Sequence, residues 1–201
     1  MIKEKIRDLI AREVKAIQNI PVDGSITGVV DLIYDQVHGK KGKVVISGMG
    51  KAGQIGNNIA TTLSSTGTPA IFLHPSEAQH GDLGVVQAND VLFLISNSGK
   101  TREILELIDL SRNLYPDIKI IALSGQEKSP LGDLAHTNLH TGHPEEICPL
   151  GLTPTTSTTV MTVVGDILVV LLMEKIGFTK EEYSKRHHSG YLGYRARRVE
   201  P

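Results

Sequence analysis

From residue 43 onward, short β-branched runs alternate with helical stretches, and nothing else in the chain limits its fold so tightly. Residues 43–47 (KVVIS), 70–73, 91–96 (VLFLIS) and 118–123 read as strands, with 137–139 a weaker fifth. Helical spacing fills 52–65, 101–114, a short piece near 130–134, and a long final helix over about 154–176. Strand, helix, strand in alternation is the pattern of a parallel sheet covered by helices on both faces. The VLFLIS run shows no polar alternation, as expected of an inner strand buried on both sides. The expected fold is a doubly wound α/β sheet. Ligands in such sheets bind beyond the carboxyl ends of the strands, where the strand order reverses. That rule directs attention to residues 47–53, 74–84 and 96–101.

Two amphipathic helices precede this core. Ile6, Leu9, Ile10, Val14 and Ile17 follow helical spacing, as do Ile26, Val29, Val30, Ile33 and Val37, with Pro21 and Gly24 between the two sets. The 201 residues fit one domain, with 1–40 as N-terminal helices and 43–195 as the core. The charged opening MIKEKIRDLIAREVKAI lacks the unbroken apolar stretch of a signal peptide. Residues 160–173 are the most apolar segment. Gly165 and Asp166 interrupt them, and they fall short of the roughly 20 apolar residues a bilayer requires, so they read as a core helix and no membrane partner is expected. A net charge of −1, from 21 Lys+Arg and 22 Asp+Glu, is not the footprint of a nucleic-acid binder. The one dense basic cluster, Arg195, Arg197 and Arg198, reads as a solvated tail. Cys148 is the sole cysteine and permits no intrachain disulfide, which fits a reducing, cytoplasmic compartment.

Two glycine-bearing loops are candidates for holding phosphate. In SGMGKAG (47–53), Gly48, Gly50 and Gly53 match the spacing of a dinucleotide-binding turn. Such a site needs an acid at the end of the second strand, and here that strand ends in His74 and Pro75. The loop still suits approach of an anion to backbone amides. In SNSGKT (96–101), Gly99-Lys100-Thr101 looks like the end of a P-loop, but Leu94 stands where the leading glycine is required. What remains is Ser96, Ser98 and Thr101 around a glycine, feeding a helix. Hydroxyls, free amides and the helix dipole together suit a phosphomonoester without a metal. Ordinary helix capping by Ser98 is the plainer explanation for that residue alone. The hydroxyl-rich TPTTSTT (153–159) is expected to cap the last helix with one or two of its own side chains.

Groups able to move protons are present but scattered: Lys51, His80, Asp82, Glu103, Glu146 and His187. Each alone is read more readily as a surface or capping residue. Cys148, beside Pro149, reads as a small packed hydrophobe. The residues themselves define a phosphate-binding α/β domain with several acid–base candidates.

Read together, GMGKAGQIG (48–56), STGTPAIFLHPSEAQHGDLG (65–84), ISNSGKTREI (95–104), CPLGLTPTTSTT (148–159), GDILVVLL (165–172) and HHSGYLG (187–193) resemble the sugar isomerase (SIS) domain family, specifically its arabinose-5-phosphate isomerases. The resemblance implies a five-stranded parallel sheet of flavodoxin-like order. It implies interconversion of D-ribulose 5-phosphate and D-arabinose 5-phosphate on the way to 3-deoxy-D-manno-octulosonate, a lipopolysaccharide sugar. It also implies a homotetramer that needs no cofactor. The catalytic set it implies falls on Lys51, Glu103, Glu146 and His187. Ser96, Asn97, Ser98 and Thr101 would grip the phosphate, Ser47 and Gly48 would line the other side, and His80 would lie close to the substrate. No metal is required, although His80 and His187 are a candidate inhibitory metal pair.

Three departures from the family pattern stand out. Lys100 replaces the usual acid after SNSG, His187-His188-Ser189-Gly190 replaces HPGG, and the sequence stops at Pro201 without the paired CBS modules many members carry. Feedback by a nucleotide-activated octulosonate would then act on the isomerase domain, with Arg195, Arg197 and Arg198 as contacts. Two rivals remain open: an isomerase of another sugar phosphate, and a non-catalytic sugar-phosphate sensor on the same fold. The N-terminal helices lack the basic face that a sensor's DNA-binding helices carry.

Overall fold

The computed structural model describes residues 1–197, so Arg198 lies outside the described residues. Its centre is a sheet of β1 (Val44–Gly48), β2 (Ala70–Phe72), β3 (Val91–Ile95), β4 (Lys119–Ser124) and β5 (Thr137–His140). The strands run parallel in the order β2-β1-β3-β4-β5, the flavodoxin-like order that the resemblance implied. Gly48 pairs with Ile95, and Ile95 with Leu123, so β1, β3 and β4 end level. Around the sheet lie α1 (Ile2–Gln18), α2 (Gly24–Ile33), α3 (Gly50–Ser65), α4 (Pro75–Ala78), α5 (Arg102–Leu114), α6 (Pro130–Leu134), α7 (Thr156–Lys175), α8 (Lys180–Arg186) and α9 (Gly190–Arg197).

All residues of β1 and β3 are buried, as expected of apolar runs without alternation. Their side chains serve two cores in turn. Ile46, Phe93, Ile95, Ile121 and Leu123 face α2, α3 and α7, whereas Val45, Leu92, Leu94 and Ile120 face α5 and α6. Removing this apolar surface from water is the main term holding the layers together, at about 25 cal/mol per Å². Helix α7 is long and apolar enough by composition to cross a bilayer. Here it is a core helix: Val160, Met161, Val164, Leu168 and Leu172 are buried, and it packs on α3, α1 and α2.

The structure departs from the sequence reading at three places. Helix α1 has no buried residue, and its stripe Ile2, Ile6, Ile10 and Val14 is exposed, while Ala16 and Ile17 touch the core. Short α4 follows β2, where Pro75 sits at its first turn. Beyond α7 come two further helices. Helix α8 lacks any buried residue and is held by local charge, with Lys185 paired to Glu181 and Glu182, and Arg186 to Glu182. The one signal for it was Thr179 three residues before Glu182, whose backbone N–H donates to the Thr179 hydroxyl.

Candidate functional site

The strand order reverses between β1 and β3, and their carboxyl ends lead into α3 and α5. A cavity of about 280 Å³ opens there, lined by Lys51 from α3, Ser96, Asn97, Ser98 and Thr101 after β3, and Ser157 and Thr158 from α7. Helix α3 approaches the end of β1 closely because residue 53 is glycine; a Cβ there would lie 2.5 Å from the Gly48 carbonyl oxygen. A second cavity, about 320 Å³, lies between α1 and residues 142–145. It lacks the hydroxyl cradle, so the chemistry of the lining rather than its volume singles out the switch point.

The cradle is locally rigid. The Ser96 and Thr101 hydroxyls share a 2.7 Å hydrogen bond. Gly99 has φ +63°, and a Cβ on it would strike the Ser129 hydroxyl, so glycine is required on two counts. Leu131 N–H donates to the Gly99 carbonyl, and Gly125 N–H to that of Asn97, which pins the loop to the segment around α6. The capping explanation for Ser98 does not hold: its hydroxyl accepts from Lys100 N–H at 3.1 Å, and no side chain among the described residues caps α5. The open first turn of α5 therefore presents free N–H groups and a positive dipole end to the cavity.

Glu146 stands at the α7 wall. Its Oε2 accepts from Thr155 N–H at 2.7 Å, from the Thr155 hydroxyl at 2.9 Å and from Ser157 N–H at 3.3 Å. This corrects the expectation that TPTTSTT caps itself, because the cap of α7 is a carboxylate from upstream. Burial pushes the Glu146 carboxyl up, but the bonds from Ser157 and Thr155 outweigh it and hold it below the ordinary carboxylate value. In the strap that follows, Cys148 Sγ accepts from Leu152 N–H at 3.3 Å and Thr153 N–H at 3.2 Å. Partial burial opposes these bonds, yet they bring the thiol down to about 7.

The other candidates lie elsewhere. Ser47 is fully buried and its hydroxyl donates to the Leu73 carbonyl at 2.7 Å, so its side chain does not line the cavity. Gly48 borders a neighbouring hollow with Gly53, Asn57 and His74. Glu103, half-buried, is in the first turn of α5. His80 is exposed after α4, which packs on α5. His187 ends α8, its ring stacked on Tyr183 at 3.7 Å between centroids and 4° between planes. Its Nδ1 lies 3.0 Å from the Tyr183 carbonyl oxygen, which can only accept. Nδ1 therefore carries a proton, which leaves Nε2 as the nitrogen not used in this contact. His80 and His187 thus follow different helices, α4 and α8, and no cluster of three or more metal-binding side chains occurs among the described residues. Ser157 and Thr158 are cavity residues that the sequence reading missed; their position on the first turn of the last helix was the available signal.

At the switch point of this doubly wound sheet stand a hydroxyl-rich loop, a helix start and a lysine, with a carboxylate anchored on the adjoining α7, an arrangement suited to an anionic ligand. The SIS domain profile matches residues 38–171, and the chain belongs to that family. It is 48% identical over 155 residues to the arabinose 5-phosphate isomerase KdsD of Pseudomonas aeruginosa, and 49% identical over 152 residues to that of Yersinia pestis. Those alignments cover 77% and 76% of this chain, but only 47% and 46% of the relatives, so the chain spans about half their length. Among solved structures it is similar to a provisionally assigned phosphosugar isomerase involved in capsule formation from Bacteroides fragilis NCTC 9343, with TM-score 0.93, 61% identity, and coverage of 95% of this chain and 100% of that one. It is also similar to an Escherichia coli CFT073 protein in complex with arabinose 5-phosphate, with TM-score 0.83, 35% identity, and coverage of 92% and 97%.

Proposed function

We propose that this chain is an aldose–ketose isomerase that interconverts D-arabinose 5-phosphate and D-ribulose 5-phosphate. The carrying observation is the switch-point cavity, where an uncapped helix and a hydroxyl cradle face Lys51, with Glu146 anchored on the adjoining α7 wall. The phosphate sits against Ser96, Asn97, Ser98, Thr101 and the first turn of α5. His187 Nε2 takes the proton of the anomeric hydroxyl and passes it to the ring oxygen as the bond from C1 to that oxygen breaks and the sugar ring opens. A carboxylate, Glu146 or Glu103, then takes the proton from C2 of the aldose and returns it to C1, while a second proton passes between the two oxygens. The Glu146 carboxyl, held below its ordinary value, is ionised at neutral pH. The Lys51 ammonium stabilises the enediolate between the two transfers. No cofactor takes part.

Of the catalytic set only Lys51 lines the cavity within one chain; Glu146 is bonded to the lining residue Ser157, and Glu103, His80 and His187 lie outside the lining. In a homotetramer, neighbouring subunits supply those that a single chain keeps apart, with His80 near the substrate. The cytoplasmic product feeds 3-deoxy-D-manno-octulosonate synthesis for lipopolysaccharide. A nucleotide-activated octulosonate inhibits by contacting the basic tail, where Arg197 Nη1 already donates to the His187 and His188 carbonyls; no inhibition at millimolar concentration would remove this part.

The test is turnover of D-arabinose 5-phosphate by purified protein without added metal or cofactor, with ribose 5-phosphate and glucose 6-phosphate as controls. Selective formation of ribulose 5-phosphate supports the proposal. Binding without turnover points instead to a sensor.

A further inference from the structure

We infer that Glu13, on α1, is a positioning residue for Glu146 and acts through the hydroxyl of Thr156. The inference rests on the proposed role of Glu146. Thr156 is 1% exposed, and its Oγ1 donates to Glu13 Oε1 at 2.9 Å. The same oxygen accepts from the N–H of Ile147 at 3.2 Å, the residue directly after Glu146. Thr155 and Ser157, on either side of Thr156, hold the Glu146 carboxylate. Residues 146 and 147 are thus clamped at both side chain and backbone by three consecutive residues at the start of α7.

Glu13 sets the polarity of this clamp. A hydroxyl has one proton and two lone pairs, and the acceptor that takes the proton decides where the lone pairs point. With its proton on Glu13, Thr156 turns a lone pair to Ile147. Stability does not explain a carboxylate at this position. Glu13 Oε2 is sealed from solvent and has no hydrogen-bond partner among the described residues. Such an oxygen is unfavourable, and an apolar side chain would avoid it.

The experiment compares Glu13→Met, Thr156→Val and Thr156→Ser in the full chain. Four quantities are measured: kcat, KM, the thermal midpoint, and the rate of Cys148 alkylation by iodoacetamide against pH. Cys148 lies in the strap between Glu146 and α7, so its reactivity reports loosening of the strap without reference to catalysis. In Glu13→Met, kcat falls about tenfold, the scale of a displaced catalytic group, with KM within about twofold. Its thermal midpoint moves by no more than about 2 °C. Cys148 alkylation changes about threefold, in step with its thiolate fraction. Thr156→Val removes the link from the other end and behaves alike, including where Glu13→Met fails to fold. Thr156→Ser keeps the hydroxyl and recovers kcat. Unchanged kcat and alkylation in both Glu13→Met and Thr156→Val would overturn the inference. So would parallel losses of kcat and thermal midpoint that Thr156→Ser does not recover. Should wild-type protein fail to turn over arabinose 5-phosphate, the isomerase reading falls while the alkylation comparison still decides the clamp.

Discussion

The phosphate cradle and the C-terminal arm are built by opposite means. Residues 96–101 leave a fully buried strand, are pinned by backbone bonds to the segment around α6, and need a glycine that nothing larger could replace. Helix α8 has no buried residue, its ion pairs are local, and His187 at its end is placed by stacking on Tyr183, itself in edge contact with Phe178. On the proposed mechanism, anion binding is assembled inside one chain by the sheet. The proton chemistry it invokes is distributed over α3, the strap before α7, and an arm that the core does not enclose. Variants in the cradle should change affinity, and those in the distributed set should change turnover.

The largest effect tests the distributed set. Glu146→Gln and Lys51→Met should each lower kcat about a thousandfold, the scale of a lost acid–base or charge-stabilising group, with little change in KM. Steady-state kinetics on arabinose 5-phosphate checks this. Loss of affinity instead of turnover would erase the contrast between the two regions.

Next in size is the arm. His187→Ala should lower kcat about a hundredfold, while His188→Ala stays within about twofold of wild type, because His188 is exposed and makes no ring contact among the described residues. Equal effects of the two would mean that the arm matters only as a segment. Thr101→Val comes third. It removes the hydroxyl bonded to Ser96 and should raise KM about tenfold, at about 1.4 kcal/mol per factor of ten, with kcat within about twofold.

The same contrast governs what the sequence discloses. The strands and the cradle are marked by short local runs, apolar continuity and a glycine between hydroxyls, whereas the strand order is implied by the family resemblance and not by those runs. Ser47 lies outside the cavity lining because its hydroxyl bonds the carbonyl of Leu73 across the sheet, a partner that local pattern does not name. Helix α8 escaped because periodic apolar residues are the main helix signal, and its turns are closed by charge. The capping of α7 by Glu146 spans nine to eleven residues of irregular strap, and the bond from Thr156 to Glu13 spans 143. Both are properties of the packed chain. The residue types were visible, and their joint use was not.

The smallest predicted effect asks whether Glu146 is held as a carboxylate. Its carboxyl is depressed below the ordinary value near 4.5, since the hydrogen bonds from Ser157 and Thr155 outweigh burial. A group whose folded value is depressed contributes stability that is fully present above its unfolded value and is lost as pH falls through the folded value. Wild type should therefore unfold at a higher temperature than Glu146→Gln at pH 7, by about 2 °C. The gap should close on acidification below about 4.5. Taking the difference between the two proteins cancels every other carboxylate that titrates in both. Thr101→Val removes no ionisable group, so its offset from wild type should not vary over the same range. If the Glu146 gap is as wide at pH 3.5 as at pH 7, charge is not what caps α7. The strap would then be held by shape alone, as the cradle is, and the two regions would differ in position rather than in the physics that orders them.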